Sequence, residues 1–135
     1  ALNTAPMPTG EIEPRQVERL KEMGQWLAKY GETIYGTRGG PWRPGPWGAA
    51  TCKGNTVYVH ILQWPGDKIA LPAIDRKVLS SAVLTGGKAE VKQTDEAVEI
   101  SVASADRQEL DTIVVLTLDG PAAGSALDRA GVAQK

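Results

Sequence analysis

PRQVERLKEMGQWLAKYGETIYGTRGGPWRPGPW, residues Pro14 to Trp47, contains the change of pattern on which the fold turns. Its first half is helical in period. Val17, Leu20, Gly24, Leu27, Gly31 and Ile34 recur at spacings of three or four, one stripe of a 3.6-residue repeat. Met23, Trp26 and Tyr30 form an adjoining stripe, and Arg15, Glu18, Arg19, Lys21, Glu22 and Lys29 fill most of the remaining surface. Pro14 suits the first helical position because it has no N–H to leave unpaired, and Glu11 and Glu13 stand just ahead, where negative charge complements the helix dipole. The pattern predicts a helix from Pro14 that ends near Gly31. Gly24 costs about 1 kcal/mol in helix propensity against Ala, a cost that close approach of another backbone would offset.

Two adjacent apolar stripes are more than one sheet needs to cover. Burying Val17, Leu20 and Leu27 would contribute about 1.5–3 kcal/mol each, a sum comparable with the low end of a domain's net stability, about 5–15 kcal/mol. The helix is therefore expected to face a neighbour that this chain does not supply. The second half of the stretch, Gly36 to Gly48, has too much Gly and Pro for a regular element and reads as a connector, with Trp42 and Trp47 as its anchors.

Beyond Gly48 the period becomes two. Ala49–Cys52 and Thr56–Trp64 flank a hairpin turn at Lys53-Gly54-Asn55. Val57, Val59 and Ile61 point one way and Tyr58, His60, Leu62 and Trp64 the other; both sets are largely apolar, which predicts a central strand. Ile69–Pro72 is a short edge piece. Val78–Leu84, Ala89–Val91, Val98–Val102 and Thr112–Leu118 follow, separated by turns at Thr85-Gly86-Gly87 and Thr94-Asp95-Glu96. Strands about ten residues apart predict an antiparallel β-sandwich preceded by one amphipathic α-helix, a mainly β fold. After Asp119 the Ala-, Gly- and Ser-rich tail has little to bury and is expected to be loose.

Composition narrows the function classes. The chain has 135 residues, 41% apolar and 23% charged, with a net charge of −1. That balance argues against a nucleic-acid partner, which needs a clustered basic surface. No apolar run is long enough to span a bilayer, and no leader peptide is visible. One cysteine, Cys52, and one histidine, His60, give no metal-ligand spacing and no cofactor motif. Cys52 beside Lys53 reads as an inert strand residue. His60, with no second histidine, reads as a structural residue holding a hydrogen bond. Asp106, Glu109 and Asp111 fit no calcium-loop spacing and read as a solvated turn.

Leu2-Asn3-Thr4-Ala5-Pro6, Gly10, Pro14, Val17-Glu18-Arg19-Leu20, Gly24, Trp26-Leu27, Gly31-Glu32 and Ile34-Tyr35-Gly36-Thr37 resemble the end of the catalytic domain of a glycoside hydrolase family 29 α-L-fucosidase. The resemblance continues through Gly39-Gly40-Pro41-Trp42, Lys53-Gly54-Asn55-Thr56-Val57-Tyr58-Val59-His60 and Leu84-Thr85-Gly86-Gly87. Ala5 departs from the family's usual Gly, and Pro8-Thr9 from an Asp before the Gly. The resemblance implies a layout: residues 1–47 as the end of a (β/α)8-like barrel (strand end at 1–4, last helix, connector), 48–119 as a C-terminal β-sandwich, and 120–135 as the tail. It also implies a retaining hydrolase of α-L-fucosyl linkages whose nucleophile and acid/base carboxylates lie upstream, so no catalytic residue is assigned here. The expected partners are the remainder of the barrel and, for the intact enzyme, a fucosylated glycan; a periplasmic or secreted location is implied likewise. Self-association through the helix face is a further reading.

Four residues remain as substrate-binding candidates. Asn3 would stand at the C-terminal end of a barrel strand, the face where such barrels keep their active sites, or would simply hold the following turn. Trp42, Trp47 and Trp64, with Tyr58, offer flat faces either to a pyranose ring or to interdomain packing. The first use would make the sandwich an independent carbohydrate-binding module, the second a structural support.

Overall fold

The computed structural model describes residues 2–125. The chain divides into two compact units, Ala1–Tyr35 and Gly36–Lys135. In the first, α1 spans Pro14–Tyr30, with Pro14 at its start and the Glu13 side chain accepting from the Gln16 N–H at 3.3 Å. Gly31 closes it by donating to the Leu27 carbonyl and opens a single 3-10 turn, Gly31–Thr33, which the Thr33 hydroxyl ties to the Tyr30 carbonyl at 2.8 Å. Trp26 and Tyr30 pack ring to ring at 5.5 Å. No residue of α1 is buried: Val17, Leu20 and Leu27 are half-buried and Met23 is 49% exposed. The solvent side carries the Arg19–Glu22 ion pair at 2.9 Å. Residues 2–4 form no strand; the preceding chain makes one isolated bridge, Pro6 to Ile12.

Among its described residues the second unit holds eight strands in two antiparallel sheets. They are β1 Arg38–Gly39, β2 Gly48–Lys53, β3 Thr56–Ile61, β4 Lys68–Pro72, β5 Val78–Val83, β6 Ala89–Gln93, β7 Ala97–Val102 and β8 Thr112–Leu118. One sheet runs β1-β2-β3-β8-β5, the other β4-β7-β6. The two-residue strand β1 lies inside the stretch expected to be irregular; pairing of Arg38 with Cys52 and of Gly39 with Thr51 extends the sheet by one short edge. The β2–β3 hairpin turns on Gly54 (φ +58°) and Asn55, so the glycine supplies the left-handed conformation that the turn needs. At the other end Gly48 (φ +137°) enters β2 so close to the His60 carbonyl that a β-carbon there would overlap it.

Strands β2, β4 and β7 alternate as strands with one covered face do. Ala50, Cys52, Val57, Val59, Ile61, Val83, Val114, Leu116 and Leu118 meet Ile69, Leu71, Val98, Ile100 and Val102 in one core. Strand β3 sits between β2 and β8 and is buried from Val57 to Ile61 on both of its faces. Strand β4 is an edge, as Pro72 requires. On the exposed side of the smaller sheet, Lys68 Nζ donates to Glu99 Oε1 at 2.7 Å and holds the Glu99 carboxyl below its usual range. The corner between the sheets is fastened by Gln93: its Oε1 accepts from the Val78 N–H at 2.9 Å and its Nε2 donates to the Arg76 carbonyl at 2.6 Å.

Two expectations change here. Trp42, assigned to a connector outside the sandwich, is 4% exposed and part of the sandwich core. The segment after Asp119, expected to be loose, begins by packing. Ala122 is fully buried, donates to the Gly54 carbonyl at 2.9 Å and accepts from the Ser125 hydroxyl at 2.6 Å, and the buried Ser125 accepts from the Asp75 N–H at 2.7 Å. Small side chains fill a narrow space, so low hydrophobicity here did not mean exposure. The remainder of that segment, 126–135, lies outside the described residues.

Candidate functional site

Among the described residues no group of His, Cys, Asp and Glu could hold a metal ion. The most enclosed polar pair is His60 with Asp111. His60 lies on β3 with Tyr58, on the face turned away from the sandwich core; Ile113 of β8 pairs directly with His60, and Asp111 stands two residues earlier on that same face. The His60 Nδ1 and Asp111 Oδ2 are 2.6 Å apart, and each side chain is 9% exposed. An ionised carboxylate can only accept, which assigns the proton to Nδ1. Asp111 is therefore no solvated turn residue, contrary to the expectation from sequence; Glu109 is exposed and Asp106 half-buried. The signal that finds the pair is register: it becomes visible once the strand after residue 111 is set against β3.

Retaining glycoside hydrolysis needs two carboxyl groups facing each other across a sugar. Among the described residues Asp111 is the one buried carboxylate, and His60 engages it. The Glu99 carboxylate is given to Lys68 on the open side of a sheet.

The tryptophan candidates serve the core. Trp42 Nε1 donates to the Pro72 carbonyl at 2.7 Å, and its ring is enclosed, so it has no face to give a sugar. This corrects its reading as a stacking platform. Trp47 is half-buried against the same core, and its carbonyl accepts from the Leu62 and Gln63 N–H groups at 2.8 and 3.2 Å. Trp64 is half-buried too, and the Arg107 guanidinium covers its ring at 4.1 Å. Arg107, which the sequence did not single out, also donates from Nε to the Val102 carbonyl (2.9 Å) and from Nη2 to the Asp67 carbonyl (2.8 Å), tying the β3–β4 and β7–β8 connections together. Asn3 is exposed in the irregular chain of the first unit. Cys52 is buried and donates weakly to the Gly39 carbonyl at 3.3 Å; burial pushes its thiol above the usual range, partly offset by the Arg38 charge.

The α-L-fucosidase family model matches residues 1–32, which include α1. The chain is 39% identical over 71 residues to an α-L-fucosidase of Branchiostoma floridae, covering 47% of this chain and 15% of that protein. Its fold superposes on α-L-fucosidase isoenzyme 1 of Paenibacillus thiaminolyticus with a TM-score of 0.74 and 28% identity, over 87% of this chain and 30% of the other. The chain is a segment of the α-L-fucosidase family. The α-fucosidase of Thermotoga maritima, solved with a mechanism-based inhibitor, matches this fucosidase segment with a TM-score of 0.65 and 30% identity, over 86% of the segment and 29% of that chain. The segment thus spans about a seventh of the curated relatives (15% and 14% of the first two) and under a third of these solved structures. At 87% of the chain, the superposition necessarily takes in most of the β-sandwich.

Proposed function

We propose that this chain is a non-catalytic part of a retaining α-L-fucosidase of glycoside hydrolase family 29, and that its sandwich supports a catalytic barrel built by residues outside the segment. The observation that carries the reading is the fold likeness: one superposition at 28% identity runs through nearly nine-tenths of the chain while leaving 70% of the fucosidase unmatched. The spent state of Asp111 and the enclosure of Trp42 fit a supporting role. The intact enzyme would cleave α-L-fucosyl linkages of glycans with two carboxylates outside residues 1–135, by the two-step displacement that retention requires. Residues 1–47 would close the barrel and residues 48–119 would buttress it.

The test is an assay of the purified chain on an aryl α-L-fucoside, beside the longer polypeptide that contains it. The expected result is turnover by the longer polypeptide only. Turnover by the 135-residue chain above background would overturn the non-catalytic assignment.

A further inference from the structure

One end of the three-stranded sheet gathers charged side chains from three connections. Asp67 precedes β4, Lys88 precedes β6, and Asp106 and Arg107 follow β7; the pairing of Lys68 with Ser101 and of Ala89 with Val102 brings these strand ends together. With Glu90 they line an open pocket of about 390 Å³, inside the range of about 300–1,000 Å³ that small-ligand sites occupy. The chain itself holds two of these groups in place. The Arg107 guanidinium lies over the Trp64 ring and commits Nε and Nη2 to the Val102 and Asp67 carbonyls, which leaves Nη1 for a further bond. The Asp106 side chain sits against Gly87 (φ +100°), where a β-carbon would overlap it. Two cations and three carboxylates line the pocket, yet among the described residues none of the five makes an ion pair.

We propose that this pocket binds a neutral saccharide through its hydroxyl groups. The mixture of charges selects that chemistry. Three carboxylates against two cations disfavour a phosphate or sulfate, and Arg107 and Lys88 disfavour a metal ion, for which the described residues form no ligand group. A hydroxyl both donates and accepts. It can give its proton to the Asp106 carboxylate while accepting from Arg107 Nη1 or Lys88 Nζ, and both bonds are charge-assisted. Adjacent hydroxyls, as on a sugar ring, satisfy several such groups at once, and hydrogen bonds linked in a chain strengthen one another. The Trp64 ring is covered by Arg107, so recognition rests on hydroxyls and not on stacking. Saccharide binding here needs no catalytic group; that the ligand of the intact enzyme is part of its glycan substrate rests on the proposed fucosidase reading.

The test titrates the ¹⁵N-labelled 135-residue chain with 2′-fucosyllactose, lactose, inorganic phosphate and calcium chloride, reading the amide resonances and the Arg107 Nε–H by NMR. Either neutral sugar is expected to shift Lys88 and residues 103–107 saturably, with an affinity that high salt leaves unchanged, as it must for an uncharged ligand. Asp106→Ala is expected to weaken binding at least tenfold, the loss that one charge-assisted hydrogen bond entails, and Lys88→Ala to weaken it less. Should Asp106→Ala fail to fold, Lys88→Ala carries the comparison, since the Lys88 ammonium has no partner among the described residues. No shift with either sugar, shifts confined to other residues, or full affinity in the variants that fold would overturn the proposal. So would the same residues answering to phosphate or calcium and not to sugar. A chain that binds sugar here while the longer polypeptide cleaves no fucoside would support the site and sink the functional reading; cleavage without sugar binding at this pocket would do the reverse.

Discussion

Replacing Trp42 tests the placement of the connector in the sandwich core. The indole is 4% exposed and donates to the Pro72 carbonyl at 2.7 Å. A buried aromatic ring removes about 150–250 Å² from water, worth about 4–6 kcal/mol at 25 cal/mol/Å²; measured Trp→Ala losses of about 3–5 kcal/mol agree. The hydrogen bond adds less, about 1 kcal/mol net, because Pro72 is on an exposed edge where water can reach its carbonyl. Trp42→Phe keeps most of the area and loses the donor, so it is expected to cost about 1–2 kcal/mol. Trp42→Ala is expected to cost about 3–5 kcal/mol, a large fraction of the roughly 5–15 kcal/mol by which domains are stable. The assay is urea unfolding followed by the β-sheet circular dichroism of the chain. With a slope of about 1–3 kcal/mol/M, Trp42→Ala should lower the midpoint by roughly 1–5 M or prevent folding. A midpoint within about 0.3 M of the parent would refute a core role for this residue and return the ring to the surface.

Two further substitutions follow from the buried groups. Asp111→Ala removes the partner of His60 Nδ1 and should cost from about 1 kcal/mol, if a neutral hydrogen bond is lost, to about 5 kcal/mol, if an ion pair is broken. A double-mutant cycle with His60→Ala should give a coupling of at least about 0.5 kcal/mol, and simple additivity would dissolve the pair. Cys52 should react with an aromatic disulfide reagent far more slowly in the folded chain than in urea at pH 8. Its thiol pKa is raised by folding, so any stability linked to it is complete below the ordinary thiol range and is lost as pH rises through the raised value. Labelling at the same rate in both states would contradict the burial.

The elements that were legible in the sequence are those whose pattern is local. The bounds of α1 follow from Pro14 and Gly31, and those of β8 from a β-branched and leucine-rich run between Asp111 and Asp119. The central position of β3 was readable because both its faces are apolar. What escaped depends on distant partners. Trp42 reaches a carbonyl thirty residues away, and the closeness of Asp111 to His60 exists only in the β3–β8 register. The strand Arg38–Gly39 has no signal of its own, since its neighbour β2 imposes its conformation. Ala122 and Ser125 show the reverse error: residues too small to announce a core fill one that other strands have already built.

The clasp made by Gln93 bears on how the sandwich survives in a crowded solution. Its amide offers one acceptor and one donor to successive backbone groups beside β5, much as a neighbouring strand would, and so acts as a surrogate rung. A foreign strand seeking to add itself there must first evict that amide, at the cost of two satisfied hydrogen bonds. The corner that leaves the two sheets open is thereby guarded against edge-to-edge capture, the first step of aggregation, alongside the charges of Arg76 and Lys77.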